Sequence, residues 1–472
     1  MPKRSRGQIC LLLLLLLCAP VVKAEVQPNF VFIIADDMTF RDIGCYGGQA
    51  HTPHIDHLAT EGMKFTQCFQ AAPMCSPTRH NIYTGLYPVK SGAYPNHTFA
   101  KPGTQSIAHY LKPLGYRVAL SGKKHISPKT VFPFEYSGKK NNPDMAVIDQ
   151  LFANSSSSNS PFCLFACSNE PHSPWNKGDA SRYPPAKIKL PSYIVDTPLV
   201  RDYFSRYLAE ITYFDDQVGQ ILRLLDKHHL SQNTMVMVVS EQGNGFPFAK
   251  WTCYGNGLQS AMIVRWPGKV KPASTTDAMV EYVDIAPTFV DAAGGDLDPA
   301  LDGTSFLPVL KGKTNHHKNF TYGIMTTRGI INGSDQYAIR TVRDKQYRLI
   351  WNLNYNAEFS NICMNTDYYR SMVQAGKAGD AKAKSLVEKY KTRPEFELYD
   401  CDADPLEMNN LAEDLKYKEV KQRLNQRLKT WMKEQGDQGI ETERDAILRQ
   451  GKFKGLTRRE AMKRFRIKGR KK

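Results

Sequence analysis

Four short apolar runs in the first 240 residues are each followed by polar residues that can carry chemistry. The runs span residues 29–35, 116–120, 161–166 and 234–240. Asp36 and Asp37 follow the first run, and Glu241 and Gln242 follow the last. A continuous apolar run is typical of a parallel strand that is buried on both faces. Because parallel strands end at one edge of a sheet, the pattern predicts that these polar residues meet in one crevice.

Stretches with apolar residues at helical spacing alternate with these runs. They cover residues 55–62, 106–114 and 197–228. The serine-rich stretch Ser155–Ser160 is predicted to be a loop. Alternating strands and helices predict an α/β fold, a sheet flanked by helices with its functional residues at the strand ends.

The pattern changes near residue 335. Residues 336–342 and 346–353 predict an antiparallel pair of strands, 396–399 a third strand, and 416–435 an amphipathic helix. These elements indicate a smaller C-terminal α+β subdomain. We divide the chain into a signal peptide (1–24), a main α/β domain (25–335), this subdomain (336–450) and a basic tail (451–472).

The N-terminal residues resemble a secretory signal. Lys3, Arg4 and Arg6 precede an apolar run from Ile9 to Val22, and Ala24 ends a plausible cleavage site. The run is short for a transmembrane helix, and no later stretch reaches membrane-spanning length. We therefore expect export without a transmembrane segment, with the periplasm, the extracellular space and the lysosome all open.

The net charge of +17 is concentrated at the C-terminus, where residues 452–472 carry eleven basic side chains against Glu460. Such a tail suits a polyanionic glycan, a membrane surface or nucleic acid. Export makes nucleic acid the least favoured of these partners. A solvated terminus without a binding role explains the tail equally well.

The cysteines form no dense framework. Eight remain after the signal peptide, at positions 45, 68, 75, 163, 167, 253, 363 and 401. Cys163 and Cys167 lie in an apolar run, which favours core positions over a metal site. Asparagines in Asn-X-Ser/Thr sequences, which a eukaryotic secretory pathway could glycosylate, are Asn96, Asn154, Asn319 and Asn332.

The acidic residues after the first and last runs suggest a hard cation. Asp36 and Asp37 would repel one another at a strand end unless something neutralised them. Oxygen ligands from these residues, Glu241 and Gln242 suit Ca²⁺, and less well Mg²⁺. A helix cap or a solvated loop is the alternative for either pair alone.

A second group of candidates combines a cysteine motif with scattered cations and histidines. Cys75-Ser-Pro-Thr-Arg79 places a proline two residues after the cysteine and an arginine two residues later. Alone, this spacing also fits a buried thiol before a proline turn. Further candidates are Lys123, His125, His172 and Lys250, each of which could instead be a solvated or packed loop residue.

Taken together and in order, these motifs resemble the sulfatase family. They are Ile34–Asp37, Cys75–Arg79 with Thr84-Gly85, Gly122–His125, Pro171-His172 and Ser240–Gly243. Segments 122–135, 347–354 and 396–400, with the short stretches 404–405 and 410–412, are similar to the sulfamidase (heparan N-sulfatase) branch. The likeness reaches about residue 435 and leaves the basic tail outside. It implies an alkaline-phosphatase-like mixed sheet flanked by helices, with residues 25–335 as the catalytic domain.

The resemblance also implies roles for individual residues. A maturation enzyme would oxidise Cys75 to formylglycine, whose hydrate is the nucleophile. One Ca²⁺ per chain would be bound by Asp36, Asp37, Cys75, Glu241 and Gln242. Arg79 and Lys123 would stabilise the developing alkoxide, His125 would accept a proton, His172 would protonate the leaving group, and Lys250 would bind sulfate. The family mostly has Asp followed by Asn or His where this chain has Glu241-Gln242, which weakens the assignment of Gln242.

The resulting hypothesis is a sulfatase acting on a sulfated saccharide, best N-sulfoglucosamine of heparin or heparan sulfate. An O-sulfatase acting on glycosaminoglycan or another sulfated polysaccharide is the first alternative. A catalytically silent glycan-binding protein is the second. Phosphoryl transfer is disfavoured because the chain has a cysteine at the nucleophile position and few suitably placed histidines. Exo or endo action stays open, as does the oligomeric state, including a homodimer.

Overall fold

A nine-stranded mixed sheet forms the centre of the main α/β domain in the computed structural model, which describes residues 27–138 and 141–469. The signal peptide predicted at 1–24 lies outside the described residues. The strands are β1 Asn29–Ile34, β2 Met63–Phe69, β3 Arg117–Gly122, β4 Glu135–Tyr136, β5 Phe162–Cys167, β6 Thr234–Val239, β7 Gln259–Arg265, β8 Ser274–Thr276 and β9 Val280–Glu281. Their order is β4-β3-β5-β1-β6-β7-β2-β8, and β9 pairs with β2. β7 runs antiparallel to both of its neighbours.

The four strands predicted from the apolar runs are adjacent and parallel, in the order β3-β5-β1-β6. Ile34 at the end of β1 lies opposite both Cys167 and Val239, and Gly122 lies opposite Cys167. The strands therefore end level with one another. The polar residues that follow them are placed at one edge of the sheet, as the pattern predicted.

Helices cover both faces of this sheet. The helices of the described chain are α1 Pro53–Glu61, α2 Cys75–Thr84, α3 Pro88–Ser91, α4 Ile107–Leu111, α5 Met145–Ser158, α6 Pro198–Lys227, α7 Gly255–Leu258, α8 Ile285–Ala292, α9 Leu307–Leu310, α10 Asp367–Lys377, α11 Ala381–Lys391, α12 Lys418–Glu434, α13 Ile440–Asp445 and α14 Arg458–Gly469. Val31 and Ile33 of β1 pack in the cluster on the α6 side, whereas Phe30, Phe32 and Ile34 pack on the other side. All of β1 is buried, which explains why its sequence is apolar without alternation.

A second, antiparallel sheet has the order β10-β11-β12-β13, formed by Thr321–Met325, Ile339–Arg343, Tyr347–Asn352 and Phe396–Asp400. Helix α12 covers it, and Trp431 stacks on Tyr322 with ring centroids 4.8 Å apart. The three predicted strands and the helix at 416–435 are present. β10 begins before residue 336, where we place the subdomain boundary, and the boundary itself stays a prediction.

Three smaller predictions have clear outcomes. The loop predicted at Ser155–Ser160 is wrong over its first four residues, because α5 continues to Ser158 and Asn159 ends the helix in a left-handed conformation. Ser155 is buried on the inner face of α5, so the serines extend a helix whose apolar face packs on the core. Cys163 and Cys167 are buried core residues, and none of the eight described cysteines forms a disulfide. In the described ranges, no helix is long and apolar enough to span a bilayer.

The part of the basic tail that the structure describes has regular secondary structure. Helix α14 follows a short turn at Gly451–Phe453. Phe453 and Ala461 are buried and form a small apolar cluster with Ile447. The terminus is therefore not frayed over residues 451–465, although most of its side chains there are exposed to solvent.

Candidate active site

A cavity of about 660 Å³ opens at the carboxyl ends of the parallel strands. The predicted site residues that line it are Asp37, Cys75, Lys123, His125, His172 and Lys250. Asp36, Arg79, Glu241 and Gln242 lie fully buried behind them. All ten residues predicted from the sequence are therefore brought together in one place.

Cys75 is the first residue of helix α2, every residue of which is buried. Pro77 stands in the first helical turn, where its missing N–H costs no hydrogen bond. The Thr78 hydroxyl donates to the carbonyl of Ala72 at 2.7 Å, and Gly85 ends the helix with φ of 65°. Burial raises the pKa of Cys75 to about 12, so the free thiol is protonated at neutral pH. An unmodified Cys75 would be a poor nucleophile.

Two lysines and an amide neutralise the acidic pair after β1. Lys250 Nζ lies 2.6 Å from Asp37 Oδ2, and Lys123 Nζ forms an ion pair with Asp36. Gln242 Nε2 donates to an oxygen of each aspartate at 2.7 Å. Asp37 and Gln242 both have positive φ, 62° and 40°, a strained backbone that is concentrated at functional sites in proteins.

The turn after β3 brings Lys123 to the acids. The Lys123 N–H donates to the carbonyl of Cys167 at 2.9 Å, directly after Gly122 with φ of 96°. A Cβ at Gly122 would lie 2.0 Å from that same carbonyl oxygen. Only glycine fits at this position, because any side chain would push the two strand ends apart.

Arg79 is bonded differently from the expected alkoxide-stabilising role. Its Nη2 lies 2.6 Å from Glu241 Oε2, both side chains are fully buried, and Nη1 donates to the carbonyl of Lys123 at 2.9 Å. Arg79 thus holds the strand ends of β3 and β6 together. Burial raises the pKa of Glu241 even with Arg79 present, so one guanidinium does not fully replace the lost water.

Two oxygen atoms beside the aspartates have no hydrogen-bond partner among the described residues. They are the buried Glu241 Oε1 and Gln242 Oε1. A half-turn of the Gln242 amide would point Oε1 at the two aspartates, where Nε2 now lies. Together with the carboxylates of Asp36 and Asp37, these atoms form an oxygen-rich donor set that fits Ca²⁺. Asp36, Asp37 and His172 also offer ligand atoms that all lie within 4.8 Å of one another.

Both predicted catalytic histidines line the cavity and are neutral. Burial, together with the charge of Lys123, lowers the pKa of His125 well below its ordinary value. His125 Nε2 lies 2.9 Å from His97 Nδ1. Asp37 raises the pKa of His172, but burial and the charges of Lys250 and Lys123 outweigh it and lower the value to about 4. His172 therefore needs an arriving anion to raise its pKa before it can donate a proton.

Sequence models of two families match the chain. The model described as "Sulfatase" matches residues 28–295. The chain belongs to the sulfatase family. The model described as "N-sulphoglucosamine sulphohydrolase, C-terminal" matches residues 243–370 of this sulfatase. The expected enzyme class, a hydrolase of sulfuric esters, is confirmed by this membership.

Individual relatives agree on the class but differ in substrate. This sulfatase is 33% identical to an ulvan-active sulfatase of Formosa agariphila, with 87% of this chain and 81% of the relative covered. It is 26% identical to human N-sulphoglucosamine sulphohydrolase, with 87% and 90% covered. A solved structure in complex with D-glucosamine-2-N,6-O-disulfate aligns with a TM-score of 0.65 at 20% identity, covering 87% of this chain and 99% of that one.

A structure described as a 2-O glycosaminoglycan sulfatase aligns with a TM-score of 0.66 at 18% identity, covering 87% and 93%. At identities this low, the structural similarity supports the fold and nothing further. The expected alkaline-phosphatase-like fold of this sulfatase is confirmed.

Two cavity residues of the sulfatase were not found from the sequence. Asn96 is buried, and its Oδ1 lies 4.0 Å from Cys75 Sγ; the buried position contradicts the expectation that this asparagine could carry a glycan. His97, with φ of 56°, contacts His125. Both lie in a loop without a strand or helix pattern, so only the fold brings them to the cavity.

Proposed function

We propose that this sulfatase hydrolyses a sulfate ester or a sulfamate of a sulfated saccharide, with Cys75 converted to formylglycine and one Ca²⁺ bound. The observation that carries the proposal is the position of Cys75. It lies at the start of a buried helix, beside a cavity lined by Lys123, Lys250 and two histidines. Such a cavity attracts a sulfate group, and its nucleophile needs activation.

Conversion of Cys75 must precede folding. In the folded chain Cys75 is 2% exposed and its helix is entirely buried, so no second enzyme could reach it. We therefore expect a formylglycine-generating maturation enzyme to act on the unfolded chain during export. The hydrated aldehyde supplies two hydroxyls, one to attack sulfur and one to expel sulfate from the enzyme.

Asp36, Asp37, Glu241 and Gln242 are the proposed Ca²⁺ ligands, with the modified Cys75 next to them. A Ca²⁺ held by these residues would supply polarisation of the sulfuryl oxygens and a lower pKa of the adjacent hydroxyl. Arg79 positions Glu241 through the 2.6 Å ion pair and so acts through the ligand rather than on the substrate.

Lys250 and Lys123 line the cavity, where their ammonium groups would hold the sulfate oxygens. Burial and the charge of Lys250 lower the pKa of Lys123 to about 7, so an arriving anion would favour its charged form. His125 Nδ1 is buried without a hydrogen-bond partner among the described residues, and the depressed pKa keeps the ring neutral, so this nitrogen could accept a proton from a hydroxyl at residue 75. His172 donates Nδ1–H to the carbonyl of Ser173 at 2.7 Å, which directs Nε2 towards Asp37 and the cavity. A proton at Nε2 would pass to the departing amine or alcohol.

Two substrates have support. N-sulfoglucosamine from heparan sulfate is supported by the match of residues 243–370 to the C-terminal model of N-sulphoglucosamine sulphohydrolase. An O-sulfated polysaccharide is supported by the 33% identity to an ulvan-active sulfatase. A sulfamate nitrogen must be protonated to leave, so a sulfamatase depends more strongly on His172 than an O-sulfatase does.

Release of sulfate from a panel of defined saccharides tests the proposal. The panel contains N-sulfoglucosamine, glucosamine 6-O-sulfate and an ulvan oligosaccharide, each assayed with and without a calcium chelator. We expect release from at least one of them, loss of release with chelator, and loss with Cys75→Ala. Cys45→Ala is the matched control, because Cys45 does not line the cavity. If none of the three saccharides releases sulfate, the proposal is contradicted and a silent glycan-binding protein is favoured.

A further inference from the structure

The C-terminal segment, residues 446–469, packs against the loop that carries Asn96 and His97. The Thr98 hydroxyl donates to the carbonyl of Arg449 at 2.9 Å, and Arg449 Nε donates to the carbonyl of Gly92 at 2.7 Å. The Gln450 side chain donates to the carbonyl of Asn96 at 3.4 Å, and the Gly451 N–H donates to that of His97 at 3.4 Å. The basic tail therefore begins directly at the rim of the cavity.

The turn of this segment next to the rim is cationic. Lys452 and Lys454 are exposed. Lys454 Nζ lies 5.4 Å from the centre of the Phe99 ring, two residues after His97. The charge of Lys452 reaches His97, whose pKa is lowered first by burial and then by this lysine. We call Lys452 and Lys454 the rim lysines.

Three acidic side chains of the same region bond to Thr457 and Arg458. Glu460 accepts hydrogen bonds from Thr457, and Glu441 and Asp445 pair with Arg458. Residues 449–464 contain seven Lys and Arg side chains and a single acid, Glu460. Lys123 and Lys250 in the cavity are paired with Asp36 and Asp37, whereas Lys124, which also lines the cavity, and the rim lysines add positive charge around it.

We propose that the rim lysines bind the anionic groups of a sulfated saccharide chain beyond the ring whose sulfate occupies the cavity. The proposal rests on the proposed function, and it assigns the sulfatase a polymeric or oligomeric anionic substrate. Neither rim lysine is among the residues that line the cavity, so a monosaccharide held there would not need them. A longer chain carries further sulfate or carboxylate groups, which the exposed ammonium groups attract without a fixed geometry.

The test compares chain length in binding and in turnover. The double variant Lys452→Ser/Lys454→Ser removes the rim charges, and Lys311→Ser/Lys313→Ser removes two exposed lysines near the amino ends of β1 and β6, at the opposite edge of the sheet. The probes are a heparin hexasaccharide, an ulvan hexasaccharide and N-sulfoglucosamine, with calorimetric binding and KM measured at low and at physiological salt.

We expect the rim variant to bind at least one of the two hexasaccharides about two- to thirtyfold more weakly than the unaltered protein does at low salt. This is the range for the loss of two exposed ion pairs. The difference should shrink with salt. Monosaccharide binding and kcat should not change, and the control variant should behave as the unaltered protein.

Equal losses for monosaccharide and hexasaccharide would overturn the proposal, since the segment would then only position His97. Unchanged binding of both hexasaccharides by the rim variant would also overturn the proposal. The same holds if the unaltered protein binds a single-stranded DNA of matched charge more tightly than either hexasaccharide. Length-dependent binding without any sulfate release would retain this proposal and contradict the proposed function, so the two failures are distinguishable.

Discussion

Removal of the Arg79 guanidinium tests whether Glu241 is a calcium ligand or only the partner of a buried arginine. Arg79→Met leaves the Glu241 carboxylate fully buried without its 2.6 Å ion pair. Breaking a buried pair from one side costs about 3–5 kcal/mol of unfolding free energy. We expect a loss of this size in chemical denaturation without calcium.

Calcium should restore part of this loss if Glu241 is a ligand. A cation at Glu241 Oε1, which accepts no hydrogen bond within the described part of the chain, would compensate the orphaned carboxylate. A ligand at about one hundred times its Kd adds about 2.7 kcal/mol to the stability of the state that binds it. We therefore expect millimolar calcium to raise the denaturation midpoint of the Arg79→Met protein clearly.

Arg340→Met is the matched control. Arg340 forms an ion pair with Asp437, both fully buried, in the second sheet and outside the cavity. The Arg340→Met protein should lose a similar amount of unfolding free energy. Calcium should add the same stability to it as to the unaltered protein. If calcium adds no more stability to Arg79→Met than to Arg340→Met, and a chelator does not lower the stability of the unaltered protein, the assignment of Glu241 as a ligand is refuted.

Three further outcomes follow from the same contacts. Burial lowers the pKa of His80 to about 4, below the unfolded value of about 6.5, so neutral His80 contributes its full stability above pH 6.5 and this contribution is lost as the pH falls to 4. The unfolding free energy should drop by up to about 3 kcal/mol over this range, and an unchanged dependence of the unfolding free energy on pH in His80→Gln would contradict this origin. Asn96→Ala should lower kcat about tenfold while the denaturation midpoint stays within error, because Oδ1 faces Cys75 in the cavity; unchanged kcat would show that the contact is not catalytic. Trp431→Ala should cost about 3–5 kcal/mol in urea unfolding, since its buried ring stacks on Tyr322, and a loss below about 1 kcal/mol would contradict this packing.

The sheet and its functional edge could be predicted because their signals are local. A strand that is buried on both faces must be apolar throughout, and the run at β1 has this composition up to Ile34. The polar residues after it can then only lie at the strand end. The same reasoning places Lys123 and Glu241, whose strands are hydrogen-bonded in the same parallel group.

Contacts made by loops were not predictable from local patterns. Asn96 and His97 reach the cavity because the segment around Arg449, about 350 residues later, packs on their loop. Nothing near residue 96 encodes that contact. The ion pair of Arg79 with Glu241 was missed for a similar reason, since it joins residues 162 positions apart.

The serine-rich end of α5 shows how tertiary packing overrides composition. Serine favours loops, yet Ser155 packs on the core and donates to the carbonyl of Ser160 at 2.6 Å. The helix therefore runs on to Ser158. Packing has the same effect in the basic tail. Its composition suggested a solvated terminus, yet the buried Phe453 and Ala461 anchor the segment to the protein.

Mass spectrometry of the peptide that contains Cys75 tests the central claim most directly. The protein should be isolated from its natural source, or from a host that is shown to mature another sulfatase. The account predicts a peptide in which a carbonyl oxygen replaces the sulfhydryl group and one hydrogen of Cys75, and which reacts with a hydrazide probe. A peptide that carries only the intact thiol, from protein that releases sulfate, would contradict the account.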